Sequence, residues 1–368
     1  RSARAGRRAA PRDESRQGGR RKDVMDLRKT FAIAASTALI VGAFGAAPAV
    51  AQDDEVVIGY AAPSLVGAQL QIQQGLVDGA EAKGWQVLTT TSDGDAQKQL
   101  NDINDYIAQG VDAIGAVPDD SAGICVAVQN AKDQGIPFYT IDRAPTGCEI
   151  NMTVLSDNYL AGQQSGEAVV AYLTEKYGEP SGTVLEITGD MAQNVAQLRG
   201  GGFQEVINAN EGIDLITQIG AWDAAAGVDI VRDIASAEDL DAIYMHSDCV
   251  YTPGTLQVLD ELGKLAPRGE EGHIFLAGVD ACLQALDAIR DGFSDQASNQ
   301  PIPDFGVVAV DFIEQELVQE GALWSPARIE NSDIGPQLFH ATTSVGPDNV
   351  DDERLWGNVE AAMAAEGE

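Results

Sequence analysis

From residue 56 onward, short apolar runs alternate with longer stretches whose apolar positions recur at helical spacing. The runs at 56–60, 86–91, 113–117 and 137–141 predict strands, and the stretches at 69–83, 96–109 and 121–134 predict helices. Gly84, Gly110 and Gly135 follow those helices, where a left-handed residue commonly closes the last turn. The strands are apolar throughout instead of alternating, which is the pattern of a parallel sheet covered on both faces. After Asn158 the alternation resumes, with helices predicted at 158–177, 195–208, 224–235, 255–262 and 283–292 and strands at 182–187, 213–219, 242–245 and 274–279. The result is two consecutive α/β units, then a last helix at 305–319 and an irregular tail from 325.

The ends of these strands carry charge. The run 137–141 ends in Asp142 and Arg143, and the next extended run ends in Ser156, Asp157 and Asn158. Ligands of open α/β sheets bind beyond the carboxyl ends of the strands, so these are candidate recognition residues. A carboxylate accepts two hydroxyl hydrogens and a guanidinium offers a rigid fork of donors. A surface ion pair is the competing reading of Asp142 and Arg143, and Asp157 reads equally well as a helix N-cap.

Residues before 52 follow other rules. Residues 1–24 are Arg-rich without apolar periodicity and read as an upstream or non-native leader; Met25, Arg28 and Lys29 then open a short apolar run that ends in Ala49, Val50 and Ala51. Residues 25–51 therefore predict a secretory signal peptide cut before Gln52, and an extracytoplasmic protein. A membrane anchor is disfavoured because the run is short and has no basic flank after it, and a lipid anchor because no Cys stands at the cut. The first 51 residues hold 11 basic and 4 acidic side chains, which leaves 12 basic against 53 acidic beyond them, a net charge of −41. Such a field repels nucleic acid and anionic membranes.

All four cysteines, Cys125, Cys148, Cys249 and Cys282, fall in the exported part. An oxidising compartment favours disulfides, of which four cysteines allow three pairings; Cys125 with Cys148 and Cys249 with Cys282 keep each bridge local, and buried free thiols are the alternative. No metal or cofactor is expected, since there is no CxxC, no His pair and no Gly-rich phosphate loop.

The order of these elements, with Asp142 and Arg143, the run Ser156, Asp157 and Asn158, the stretch from Arg199 to Phe203, and Gly278, Val279 and Asp280, resembles the periplasmic sugar-binding proteins of the ribose-binding type over residues 56–321. The resemblance implies a type 1 periplasmic binding protein: two Rossmann-like lobes with parallel sheets, joined by three crossings, with ligand in the cleft. It places crossings near 156–158, 299–301 and 324–330. The lobes would then be 52–156 with about 300–328, and 157–299 with about 329–345, followed by a tail at 346–368. It also implies a monomer that captures a sugar or polyol and delivers it to an ABC transporter permease. By the same resemblance Asp142, Arg143, Asn158, Asn194, Arg199, Trp222, Ser247, Asp280, Asn299 and Gln300 are ligand candidates. For Trp222 the alternative is core packing, and for Arg199 a solvated side chain.

The chain departs from that pattern at 64–69, where Ser, Leu, Val, Gly, Ala and Gln stand in place of Asn-Pro and aromatic residues. One aromatic wall is therefore missing, and Gln69 is the polar candidate there. Two other classes compete with a transport protein. An exported glycoside-active enzyme would use paired acids such as Asp142 and Asp280, but the chain has no GxSxG elbow. A sensory module that presents ligand to a receptor would share fold and site. A repressor of the LacI type is excluded by the export signal where a helix-turn-helix would stand.

Overall fold

The computed structural model describes residues 56–318 and 328–366. The leader at 1–24, the signal peptide at 25–51 and Trp324 lie outside the described residues. The first lobe holds β1 (Val57–Ala62), α1 (Gly67–Glu81), β2 (Gln86–Thr91), α2 (Ala96–Gln109), β3 (Ala113–Ala116), α3 (Cys125–Asp133), β4 (Phe138–Ile141) and β5 (Met152–Ser156). The second begins with α4 (Asn158–Tyr177), β6 (Ser181–Thr188), α5 (Asn194–Asn208), β7 (Gly212–Ile219), α6 (Ala224–Ala237) and β8 (Ala242–Met245). It continues through α7 (Asp248–Glu261), β9 (Phe275–Asp280), α8 (Leu283–Arg290) and β10 (Gln296–Asn299). The chain then returns to the first lobe as α9 (Ile302–Leu317), β11 (Arg328–Ser332) and β12 (Gly335–His340), before β13 (Thr343–Val345) and α10 (Trp356–Glu366).

Two sheets result, ordered β11-β12-β5-β4-β3-β1-β2 and β13-β10-β9-β8-β6-β7. They are parallel except at one edge each, where β11 runs antiparallel to β12 and β13 to β10. The central strands carry Ile58, Ile114 and Ile141 in one lobe and Leu185, Ile243 and Leu276 in the other, all buried, because helices cover both faces. No helix among the described residues is long and apolar enough to cross a membrane.

The crossings at 156–158 and 299–301 fall between β5 and α4 and between β10 and α9. The third differs from expectation. Residues 337–340 pair in parallel with 153–156 of β5, so the segment through His340 belongs to the first sheet and the chain crosses at 340–343, instead of at 324–330. The expected assignment of 329–345 to the second lobe holds only for β13. The expected irregular tail is also corrected: α10 packs on α8, with Trp356 buried.

One further difference has a local cause, and the cysteines pair as expected. Helix α7 starts at Asp248 instead of 255, with Ser247 as N-cap accepting from the Val250 N–H; Pro253 and Gly254 lie inside it. Gly254 is needed because a Cβ there would strike Val228 of α6. Cys125 pairs with Cys148, tying α3 to the loop before β5, and the Cα atoms of Cys249 and Cys282 stand 5.7 Å apart as the second pair, bridging α7 to the N-cap of α8.

Candidate functional site

A cavity of about 570 Å³ opens between the lobes at the carboxyl ends of both sheets. Gln69, Asp142, Arg143, Arg199, Trp222, Ser247, Asp280 and Gln300 line it. Three of them have backbones in the left-handed region: Asp142 (φ 64°), Trp222 (φ 60°) and Asp280 (φ 118°). Such conformations cost about 1–3 kcal/mol each and persist where surrounding structure imposes them, commonly at ligand sites. Here each one turns a strand end or loop abruptly, which aims its side chain at the cleft.

On the first-lobe wall, Asp142 Oδ2 accepts a hydrogen bond from Gln69 Nε2 at 3.0 Å and lies 3.7 Å from Arg143 Nε. Arg143 Nη1 donates to the Pro118 carbonyl at 3.1 Å, which fixes the guanidinium. Burial pulls the Arg143 guanidinium below its ordinary value, against the upward pull of Asp142 and Asp119.

On the second-lobe wall, Arg199 is the hub. Its Nε donates to Asn158 Oδ1 at 2.8 Å, and its Nη1 donates to the His246 carbonyl and pairs with Asp280 Oδ1 at 3.3 Å. Asp280 also accepts from Ser247 Oγ at 2.5 Å and Gln300 Nε2 at 2.5 Å. Burial pushes the Asp280 carboxyl up, with Arg199 opposing, and burial together with the Asp280 charge pushes Asp248 up as well. A carboxyl raised in the folded state binds more protons there than in the unfolded chain, so its ionisation costs stability as pH rises above the usual carboxylate range. Asp248→Asn should therefore raise the melting temperature at pH 7, and the gain should shrink as pH falls toward 4. Thermal unfolding at both pH values checks this, and a loss of stability at pH 7 would contradict it.

The run of three glycines after Arg199 has a packing cause. A Cβ at Gly202 would overlap the Tyr159 carbonyl, and one at Gly162 the Arg199 carbonyl, so α4 and α5 approach with backbones nearly touching. That approach brings Asn158 within reach of Arg199. A Cβ at Gly189 would overlap the Trp222 indole, so the ring packs directly against bare backbone. His246 accepts the Gly189 N–H on Nδ1 at 3.2 Å and pairs with Glu186 through Nε2 at 3.0 Å, which steadies that support; burial lowers the His246 pKa.

Three sequence candidates do not line the cavity. Asn158 faces Arg199 instead, because the α4–α5 approach leaves no room between them. Asn194 closes the lobes onto each other: its Oδ1 accepts from the Ala144 N–H at 2.9 Å and its N–H donates to Ser121 Oγ at 3.0 Å. Beside it the Ser121 N–H donates to the Ala192 carbonyl at 3.2 Å and Gln193 Nε2 to the Asp119 carbonyl at 3.2 Å. Asn299 accepts the Trp356 N–H at 2.8 Å. Sequence reasoning missed Trp356 and Glu360, which also line the cavity. Nothing in the sequence around them marks them, because α10 is an alanine-rich run without apolar periodicity.

Two α/β lobes crossed three times by the chain, closed over a polar cleft, define a solute-binding protein of the hinged kind. Residues 58–321 match the family model described as a periplasmic binding protein domain, and the chain belongs to that family. The ribose import binding protein RbsB of Bacillus subtilis (strain 168) is 27% identical over 266 residues, which are 71% of this chain and 82% of the relative. The galactofuranose-binding protein YtfQ of Escherichia coli (strain K12) is 30% identical over 244 residues, 64% and 74% of the two chains. Among solved structures, that of a galactofuranose binding protein superposes with a TM-score of 0.71 at 23% identity, over 81% of this chain and 97% of that one, a likeness of fold.

Proposed function

We propose that this protein captures a neutral sugar or polyol outside the cytoplasmic membrane and delivers it, as a monomer, to the permease of an ABC transporter. The observation that carries this reading is a set of buried polar atoms around the cavity without a hydrogen-bond partner: Gln69 Oε1, Gln300 Oε1 and Arg143 Nε. Two accept and one donates. Hydroxyl groups do both, so a polyhydroxylated ligand satisfies the mixed set, whereas each group left bare costs about 1–3 kcal/mol. Trp222 adds a flat apolar face for the C–H side of such a ligand. The names of the relatives, with ribose and galactofuranose, point to the same chemistry.

Charge disfavours an anionic ligand. The cavity is lined by Asp142, Asp280 and Glu360 against Arg143 and Arg199, and each arginine already faces a carboxylate. Because Asp142 and Asp280 are engaged by protein donors, they serve recognition and no turnover is expected. A ligand that touches both walls binds the closed state better than the open one, and so shifts the population toward closure. Neutral sugars and polyols should change Trp222 fluorescence in a saturable way and be recovered unaltered, while sugar phosphates should leave it unchanged. Product formation, or a response to the phosphates alone, would sink the reading.

A further inference from the structure

We infer that α10, which lies beyond the residues matched by the family model, is a third wall of the ligand site and rides on the second lobe to latch the first. Its attachment to the second lobe is extensive. The Gly357 N–H donates to the Ala281 carbonyl at 3.0 Å, and a Cβ at Gly357 would overlap the backbone of Cys282 and Leu283. Arg290 of α8 reaches Asn358 Oδ1 at 2.5 Å and Asp351 at 2.9 Å. From that base the Trp356 side chain reaches the first lobe, where its indole N–H donates to Gln71 Oε1 of α1 at 2.6 Å. Trp356 is 2% exposed, within an apolar cluster that includes Ile72, Ile302 and Phe305.

The placement has two consequences. The bonds of Asn194 to Ser121 and Ala144 hold one lip of the cleft, and the bond from Trp356 to Gln71 holds another, so opening the lobes must withdraw the indole from α1. One turn further along, Glu360 lines the cavity with Oε2 buried and without a partner. A carboxylate oxygen there accepts from a hydroxyl of the ligand and repels an anionic substituent. The cleft thereby recovers, from the far end of the chain, a wall at the 64–69 side that lacks aromatic residues.

This inference rests on the sugar or polyol reading of the cleft, and the test separates the two. Wild type, Trp356→Phe, Gln71→Ala and Glu360→Gln are titrated calorimetrically with ribose, xylose, galactose and xylitol, and with sugar phosphates and uronates, and their ligand-free small-angle scattering is compared. Trp356→Phe keeps an aromatic ring in the apolar cluster and removes the donor with part of the ring volume, whereas Gln71→Ala removes the acceptor and leaves the Trp356 packing in place. Both should weaken binding by about 3- to 10-fold, the worth of one buried hydrogen bond, and should scatter as more open particles without ligand. Glu360→Gln should weaken binding by about tenfold, since it removes a charged acceptor, and should leave the ligand-free scattering unchanged. Variants equal to wild type in both measurements would overturn the role of α10. If wild type binds sugar phosphates or uronates and no neutral sugar or polyol, the ligand reading fails, and unchanged or changed scattering in Trp356→Phe and Gln71→Ala still decides the latch.

Discussion

Arg199→Ala is expected to destabilise the protein by about 3–5 kcal/mol, the cost of breaking a buried ion pair from one side. Arg199 is 4% exposed and holds Asn158, the His246 carbonyl and Asp280 at once. Its removal leaves the Asp280 carboxylate facing Asp248 without its ion-pair partner, and both are carboxyls that burial already raises. The sign of the pH dependence follows. Protonation relieves the uncompensated charge, so the deficit should be largest at pH 8 and should fall at pH 5 as the raised carboxyls take up protons. Urea unfolding at the two pH values checks both parts. A deficit below about 1 kcal/mol, or one that grows toward acid, would show that Arg199 is not the hub of this wall.

Asp142→Ala should cost at least about tenfold in ligand affinity, because a charged acceptor contributes about 1.5–3 kcal/mol per hydrogen bond. Alanine at φ 64° adds backbone strain, so Asp142→Asn is the cleaner variant: asparagine accepts the left-handed conformation and fills the same volume. It retains one acceptor oxygen toward Gln69 while losing the charge. Affinity should fall in both variants and stability chiefly in the alanine one. Equal affinity of Asp142→Asn and wild type would remove Asp142 from the grip.

Much of this was legible in the sequence for a physical reason. Strands 86–91 and 242–245 and helices 96–109 and 158–177 match their expected bounds, because β-branched or apolar runs and glycine stops are local signals. Asp142 and Asp280 stand out because charge at the mouth of a buried strand has few other uses, whereas Arg199 lies within α5 and stood out through the family resemblance. What was not legible depends on distant packing. Asn158, Asn194 and Asn299 are polar at plausible places, but whether an amide faces ligand or a neighbouring residue is decided by the α4–α5 approach, the lip contacts and the return of Trp356. The third crossing hid in a segment whose membership is set by pairing with β5, nearly two hundred positions earlier in the chain. Helix α10 is an alanine-rich run without apolar periodicity, so its role as a wall shows only once Trp356 and Glu360 are placed in space.

The claim at the centre is that the lobes close on one neutral, hydroxyl-rich molecule. Calorimetric titration of the wild-type protein with neutral sugars and polyols, alongside their phosphates and uronates, tests it most directly. Saturable one-to-one heat from at least one neutral compound, with none from its charged derivatives, is the predicted result; binding confined to the anions, or to no hydroxylated compound at all, would contradict it.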